Sequence, residues 1–232
     1  MAGRRAKRNS WVTILLVLAA VALWVNEQRK DADRPAPSSA GETARPGKPD
    51  RAPAPATRTG GYETYRNCSL VAEHNNDGDS FRVRLPDGRA EIVRLYFVDT
   101  PESAFKRYRD GETNHRRIRS QAQDLGGLTP EQAVDIGVKA KKFTLGLLER
   151  RPFTIHTAWD SPYQDQRYHA FVEVEENGKS RWLHELLIER GLARILTKPA
   201  DLPDGTKADA QLRRLRSLEK AARAADKGAW GM

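Results

Sequence analysis

The run "DGDSFRVRLPDGRAEIVRLYFVDTPES", residues 77–103, restricts this chain more than any other stretch. Two segments with alternating apolar positions flank "PDG" at 86–88, a tight-turn signal, so they read as paired antiparallel strands. In such a hairpin the start of one strand lies beside the end of the other. That places "DGDS" at 77–80 next to "VDTPE" at 98–102. Asp79 and Asp99 can therefore converge although twenty residues separate them. Two adjacent carboxylates repel unless a cation joins them. Ligands that are all oxygen favour a hard ion, Ca²⁺ before Mg²⁺ or Mn²⁺. Pro101 biases Thr100 toward an extended conformation and has no N–H to donate. The strand's hydrogen bonding stops there, which could leave the Thr100 carbonyl as a further ligand. Glu102 then sits just past the metal, where it can hold or deprotonate a water. Arg94, on the same strand, is the cation for an anionic substrate.

The chain around this hairpin is of three kinds. Residues 1–25 combine a basic start, "GRRAKRNS", with the continuously apolar "WVTILLVLAAVALWV" at 11–25. Fifteen helical residues reach roughly 22 Å, against a hydrocarbon core of roughly 30 Å. The tryptophans at both ends and the continuation past "AVA" at 20–22 favour an uncleaved signal-anchor, and a cleaved signal peptide is the alternative. Residues 26–60 hold six of the thirteen prolines with charges of both signs, and read as a disordered tether. Residues 61–232 read as the folded domain.

Charge is a weaker guide than it first looks. The formal net charge is +9, yet residues 59–232 hold 29 basic and 26 acidic side chains. The high pI therefore belongs mostly to the N-terminal third and does not by itself mark the folded part as a nucleic-acid binder. The single cysteine, Cys68, excludes an internal disulfide framework and any multi-cysteine metal site, and reads as a small packed residue on the first strand.

Beyond the hairpin, "CSLVAEH" reads as an earlier strand. Residues 103–130 read as a long basic surface loop. "EQAVDIGVKAKKFTLGLLER" reads as an amphipathic helix with Thr129 as N-cap and Pro130 at its first position. "RPFTIHTAW" and "RYHAFVEVEE" are strands, the latter closed by "NG". "SRWLHELLIERG" and "DAQLRRLRSLEKAARAADKG" are helices, each ended by glycine. The sum is an α+β domain: a five-stranded OB-type β-barrel with three packed helices, expected as a monomer. His156, His169 and His184 fall on these elements as structural residues.

The hairpin, with "GVKAKKFTLGLL", "ERGLARI" and "LEKAARAADKGAW", closely resembles the staphylococcal nuclease (thermonuclease) family over about residues 62–231. The resemblance implies an OB-type barrel that hydrolyses DNA and RNA with Ca²⁺ and leaves 3′-phosphates. It implies that Asp79 and Asp99 bind the metal, that Thr100 gives it a backbone carbonyl, and that Arg94 binds phosphate. It also implies Glu102 as general base. The family's second catalytic arginine lies in a Tyr-Gly-Arg run entering the fifth strand. Here the spacing selects Arg167, with Gln166 where glycine is usual and Asp165 where the tyrosine would be. Tyr163 and Tyr168 are close but do not align. Lys106, Arg107, Arg109, Arg116, Arg117 and Arg119, in the loop after Glu102, are candidate contacts to a nucleic-acid strand through phosphate charge. The alternative function is a non-catalytic OB module that binds single strands.

Both readings of residues 11–25 put the domain outside the cytoplasm, since the basic flank stays inside. The anchor reading expects the mature chain to stay on the outer face of the membrane, its domain on the order of 30 Å away. N-terminal sequencing with fractionation checks this. A soluble product beginning at Leu23 would replace the anchor by a secreted or periplasmic form. An intact Met1 chain in the cytosol would refute export.

Overall fold

The computed structural model describes residues 57–163 and 165–232. The apolar run at 11–25 and nearly all of the tether lie outside them. Among the described residues no helix is long and apolar enough to cross a membrane.

Strand β1 (Thr57–Thr59) pairs antiparallel with β2 (Tyr62–Leu70), so the last tether residues join the sheet. β2, β3 (Ser80–Arg84) and β4 (Ala90–Leu95) form an antiparallel meander. The next barrel strands are β6 (Phe153–Thr157) and β7 (Tyr168–Glu176). β7 runs parallel to β4 and antiparallel to β6, and β6 pairs back onto β2. The circuit β2-β3-β4-β7-β6 is thus a closed five-stranded barrel, the expected OB-type architecture. Closure removes the free edges that an open sheet would expose. β8 (Lys179–Trp182) extends β7 as a hairpin across Asn177 and Gly178, both at positive φ as a tight two-residue turn requires. β5 (Val98–Asp99) and β9 (Arg194–Ile195) make a separate two-stranded sheet.

Among the described residues four α-helices surround the barrel rather than three. α1 (His115–Asp124) lies inside the segment read as a loop. Its buried positions, Ile118, Gln121 and Ala122, include only two apolar side chains in a run that is otherwise basic and polar, which is why it reads as loop. α2 (Pro130–Arg150) starts as expected at Thr129, whose hydroxyl accepts the Gln132 N–H while Gln132 Oε1 accepts the Thr129 N–H. Such a reciprocal cap is worth about 1 kcal/mol. α3 (Leu183–Glu189) is shorter than the sequence suggests, because Ser180, Arg181 and Trp182 belong to β8. α4 (Ala208–Ala224) closes the fold.

The barrel interior is filled by Phe81, Val83, Val93, Leu95, Ile155 and Phe171, all essentially inaccessible. Cys68 is fully buried, with its thiol donating to the Tyr65 carbonyl. His184 is stacked on Phe97 and sits 2.8 Å from Gln211 Nε2. Burial pushes its imidazole down to about 4, and does the same to His169.

These two imidazoles are neutral in the fold, while the unfolded chain takes up protons near pH 6.5. A folded pKa below the unfolded value means stability that is present above about pH 6.5 and lost as pH falls toward 4. The urea midpoint should therefore drop between pH 7 and pH 4.5. His184→Gln should flatten that drop, and an equally steep profile in the variant would count against this account.

Candidate active site

The open end of the β3–β4 hairpin is where the acids meet. Ser80 pairs with Arg94, and the Asp79 carbonyl accepts the Leu95 N–H at 2.9 Å. Beyond β4 the chain kinks at Phe97, a buried residue with φ of 70°. A bulky residue in that region costs about 1–3 kcal/mol. It is held there by two backbone bonds, its N–H to the Lys198 carbonyl and its carbonyl to the Leu196 N–H. The kink turns Val98 and Asp99 into β5, which brings Asp99 back beside Arg94. Asp79, Arg94, Asp99 and Thr100 are each no more than 4% exposed.

One guanidinium nitrogen joins the two aspartates. Arg94 Nη2 lies 2.7 Å from Asp99 Oδ1 and 3.2 Å from Asp79 Oδ2. Asp99 gathers further donors: Arg117 Nη2 at 2.8 Å on Oδ1, and Arg194 Nε and Gln121 Nε2 each at 2.9 Å on Oδ2. Burial alone would raise the Asp99 pKa. Arg117, Gln121, Arg194 and Arg94 together outweigh it and hold the carboxyl below its usual range. Asp79 has less support, with Arg94 and the Thr100 N–H at 3.1 Å. Burial dominates there, aided by Asp99 and Asp77, and pushes Asp79 up to about 6.

Glu102 is gripped from both sides. Its Oε1 lies 3.0 Å from Arg117 Nε, and its Oε2 accepts from Asn114 Nδ2 at 3.2 Å with Lys106 Nζ at 3.6 Å. Gln121, wholly buried, ties the pieces together. Its amide nitrogen donates to Asp99 and to the Thr100 carbonyl, and its oxygen accepts the Glu102 N–H at 3.0 Å. The Thr100 carbonyl is thus not free, as the sequence suggested; one of its two lone pairs is taken.

Arg94 and Asp99 also line a cleft of about 370 Å³, shared with Arg117, Arg167, Arg194 and Tyr163. Arg167 is anchored by Asp165. The residue between them, Gln166, has φ of 62°, the conformation that glycine adopts most readily.

A family model described as staphylococcal nuclease homologue matches residues 92–232. The chain belongs to this family. No curated protein matches the chain. The matched stretch carries Arg94, Asp99, Thr100, Glu102 and Arg167, whereas Asp79 precedes it and is joined to it through Arg94. Staphylococcal nuclease homologues are nuclease-like or nucleic-acid-binding OB modules, and this chain is one of them.

The donor set fits the calcium ion associated with the family. All candidate ligands are oxygens: the carboxylates of Asp79 and Asp99 and the Thr100 carbonyl. The buried Thr100 hydroxyl beside them has no hydrogen-bond partner. Among the described residues no group of three or more His, Cys, Asp or Glu is placed to hold a metal. Water and phosphate would therefore complete the shell, as hard ions allow.

The basic segment divides. Arg117 and Lys106 turn inward to the acids, so neither is simply a strand contact. Arg107, Arg109, Arg116 and Arg119 are exposed, and among the described residues none of them forms an ion pair. Arg117, Arg194, Gln121 and Asn114 had no assigned role in the acid cluster from sequence. Arg194 left one signal, as the lone charge inside the apolar run "GLARIL".

Helix α2 supports the cluster by coming unusually close. A Cβ on Gly137 would lie 2.3 Å from the Glu102 carbonyl oxygen. Thr144 Oγ1 donates to the Gly78 carbonyl at 2.8 Å. Helix propensity alone would make Gly137→Ala stabilising by about 1 kcal/mol. Overpacking against backbone costs about 1–3 kcal/mol and should win. The variant is expected to melt lower and, with Glu102 displaced, to lose any activity of the site. A raised melting temperature would show that the approach is not limiting.

Proposed function

We propose that this chain is a calcium-dependent nuclease that hydrolyses DNA or RNA phosphodiesters to 3′-phosphate products. The observation that carries this reading is the cleft lined by Asp99, Arg94, Arg117 and Arg167, with Asp79 and Glu102 paired to two of the same arginines beside it. Arg94 and Arg167 line the cleft with forked donors suited to two phosphate oxygens. Glu102 is positioned by Arg117 and Asn114, so its carboxylate can orient a water and accept its proton. As water attacks phosphorus, negative charge grows on the phosphate oxygens, and the arginine contacts strengthen. Cleavage of the bond to the 5′-oxygen leaves the phosphate on the 3′ side. Calcium at Asp79, Asp99 and Thr100 would supply Lewis-acid polarisation of a phosphate oxygen. The reading extends to place: residues 11–25 hold the enzyme outside the cytoplasm.

Incubation of the protein with DNA and with RNA, in calcium and then in excess chelator, tests the proposal. Cleavage in calcium that chelator abolishes is expected. Asp79→Ala and Asp99→Ala should each remove most activity and weaken calcium binding. Arg94→Lys and Arg167→Lys should each lower turnover about 10²-fold or more, because lysine keeps the charge but not the fork. An inert wild type that retards single strands on a gel would make this chain a binding module instead. Wild-type behaviour of Arg167→Lys would move the second arginine elsewhere.

A further inference from the structure

Three arginines touch Asp99, and they are not equivalent. The Arg94 and Arg194 side chains are 5% and 10% exposed, whereas Arg117 is 43% exposed. Arg194 is pinned a second time by Asp124, and Arg94 by Asp79. Arg117 comes from α1, which packs on α2 through Ile118, Ala122 and Ala133 and leaves Arg117 at its exposed face. Its single guanidinium spans Asp99 Oδ1 at 2.8 Å and Glu102 Oε1 at 3.0 Å. It therefore covers both the carboxylate that would face a cation and the one that would face a water. It also lines the cleft beside Arg94 and Arg167.

We propose that Arg117 is a third phosphate-directed arginine, which exchanges Asp99 for a substrate phosphate oxygen when a divalent cation takes that carboxylate. The inference rests on the nuclease reading and adds to it. A dication on Asp99 and a guanidinium 2.8 Å from the same oxygen repel each other. Arg117 is the partner free to leave, because it is the one of the three that solvent already reaches, and Glu102 can keep one side of its guanidinium at the site. Its helix keeps it at the cleft mouth. Linkage is reciprocal: if the cation weakens Arg117 on Asp99, Arg117 weakens the cation.

Calcium titration by calorimetry on the described domain's full chain, without nucleic acid, separates the possibilities. Arg117→Gln should bind calcium about 5-fold tighter or more, within the usual range of such couplings. The same variant should show a raised KM for single-stranded DNA. Arg117→Lys keeps the charge and should bind calcium close to the wild-type affinity, yet share the raised KM because the fork is lost. A thermal melt of each variant shows whether α1 remains docked, and Arg117→Lys carries the test if Arg117→Gln melts early. Unchanged or weaker calcium binding in a folded Arg117→Gln would overturn the exchange. An unchanged KM in Arg117→Lys would overturn the phosphate role. A wild type that takes up no calcium would overturn the nuclease reading and the exchange together, which distinguishes that failure from the others.

Discussion

Asp79 and Asp99 cannot be buried side by side without compensation, and much of the surrounding structure supplies it. An ion pair taken out of water loses several kcal/mol of solvation per charge, and removing one partner of such a pair typically costs about 3–5 kcal/mol. The donors come from separate parts of the chain. Arg94 belongs to the same hairpin as Asp79, Arg194 comes from β9, and Arg117 and Gln121 come from α1. This short helix packs on α2 through Ile118, Ala122 and Ala133, and its polar side meets the acids. The acid cluster is thus a second surface on which α1 docks, and α1 in turn steadies the acids.

Steric closeness does the rest. Gly78 and Gly137 let α2 approach the "DGD" turn and the "TPE" strand exit, so the helix backs the two ends of the site at once. At Gly137 the choice runs against helix propensity. A glycine inside a helix is unfavourable by about 1 kcal/mol, but any side chain would collide with the Glu102 backbone. The left-handed turn at Phe97 works in the same sense. Local strain is accepted where the chain has to bend back toward Arg94, and two backbone bonds and full burial of the ring offset it.

These features divide according to how local their cause is. The barrel strands, the Thr129 cap and the meeting of Asp79 with Asp99 were legible, because alternation, capping chemistry and hairpin geometry act over a few residues. α1 was not. In its sequence "HRRIRSQAQD" the narrow apolar face of Ile118 and Ala122 is hidden among basic and polar residues, and its partners are α2 and carboxylates in another part of the chain. Gln121 illustrates the limit: a glutamine in a polar run looks solvated, yet it is fully buried and bonds to three separate residues. Arg167 lies between these cases. Its spacing to β7 marked it, whereas the glycine-like φ at Gln166 beside it was not legible.

The charge balance of the cluster also shapes how the cleft can work. Three carboxylates, Asp79, Asp99 and Glu102, contact three guanidiniums, Arg94, Arg117 and Arg194. Formally the group is neutral, so neither a cation nor a phosphate meets a strong field of opposite sign. A dication entering alone must compete with arginines already on Asp99. A phosphodiester entering alone must compete with carboxylates already on those arginines. When both enter, each takes the partner that the other has released, and every charge remains paired. On the proposed reading as a calcium-dependent nuclease, the arrangement would favour joint occupation over either ligand by itself.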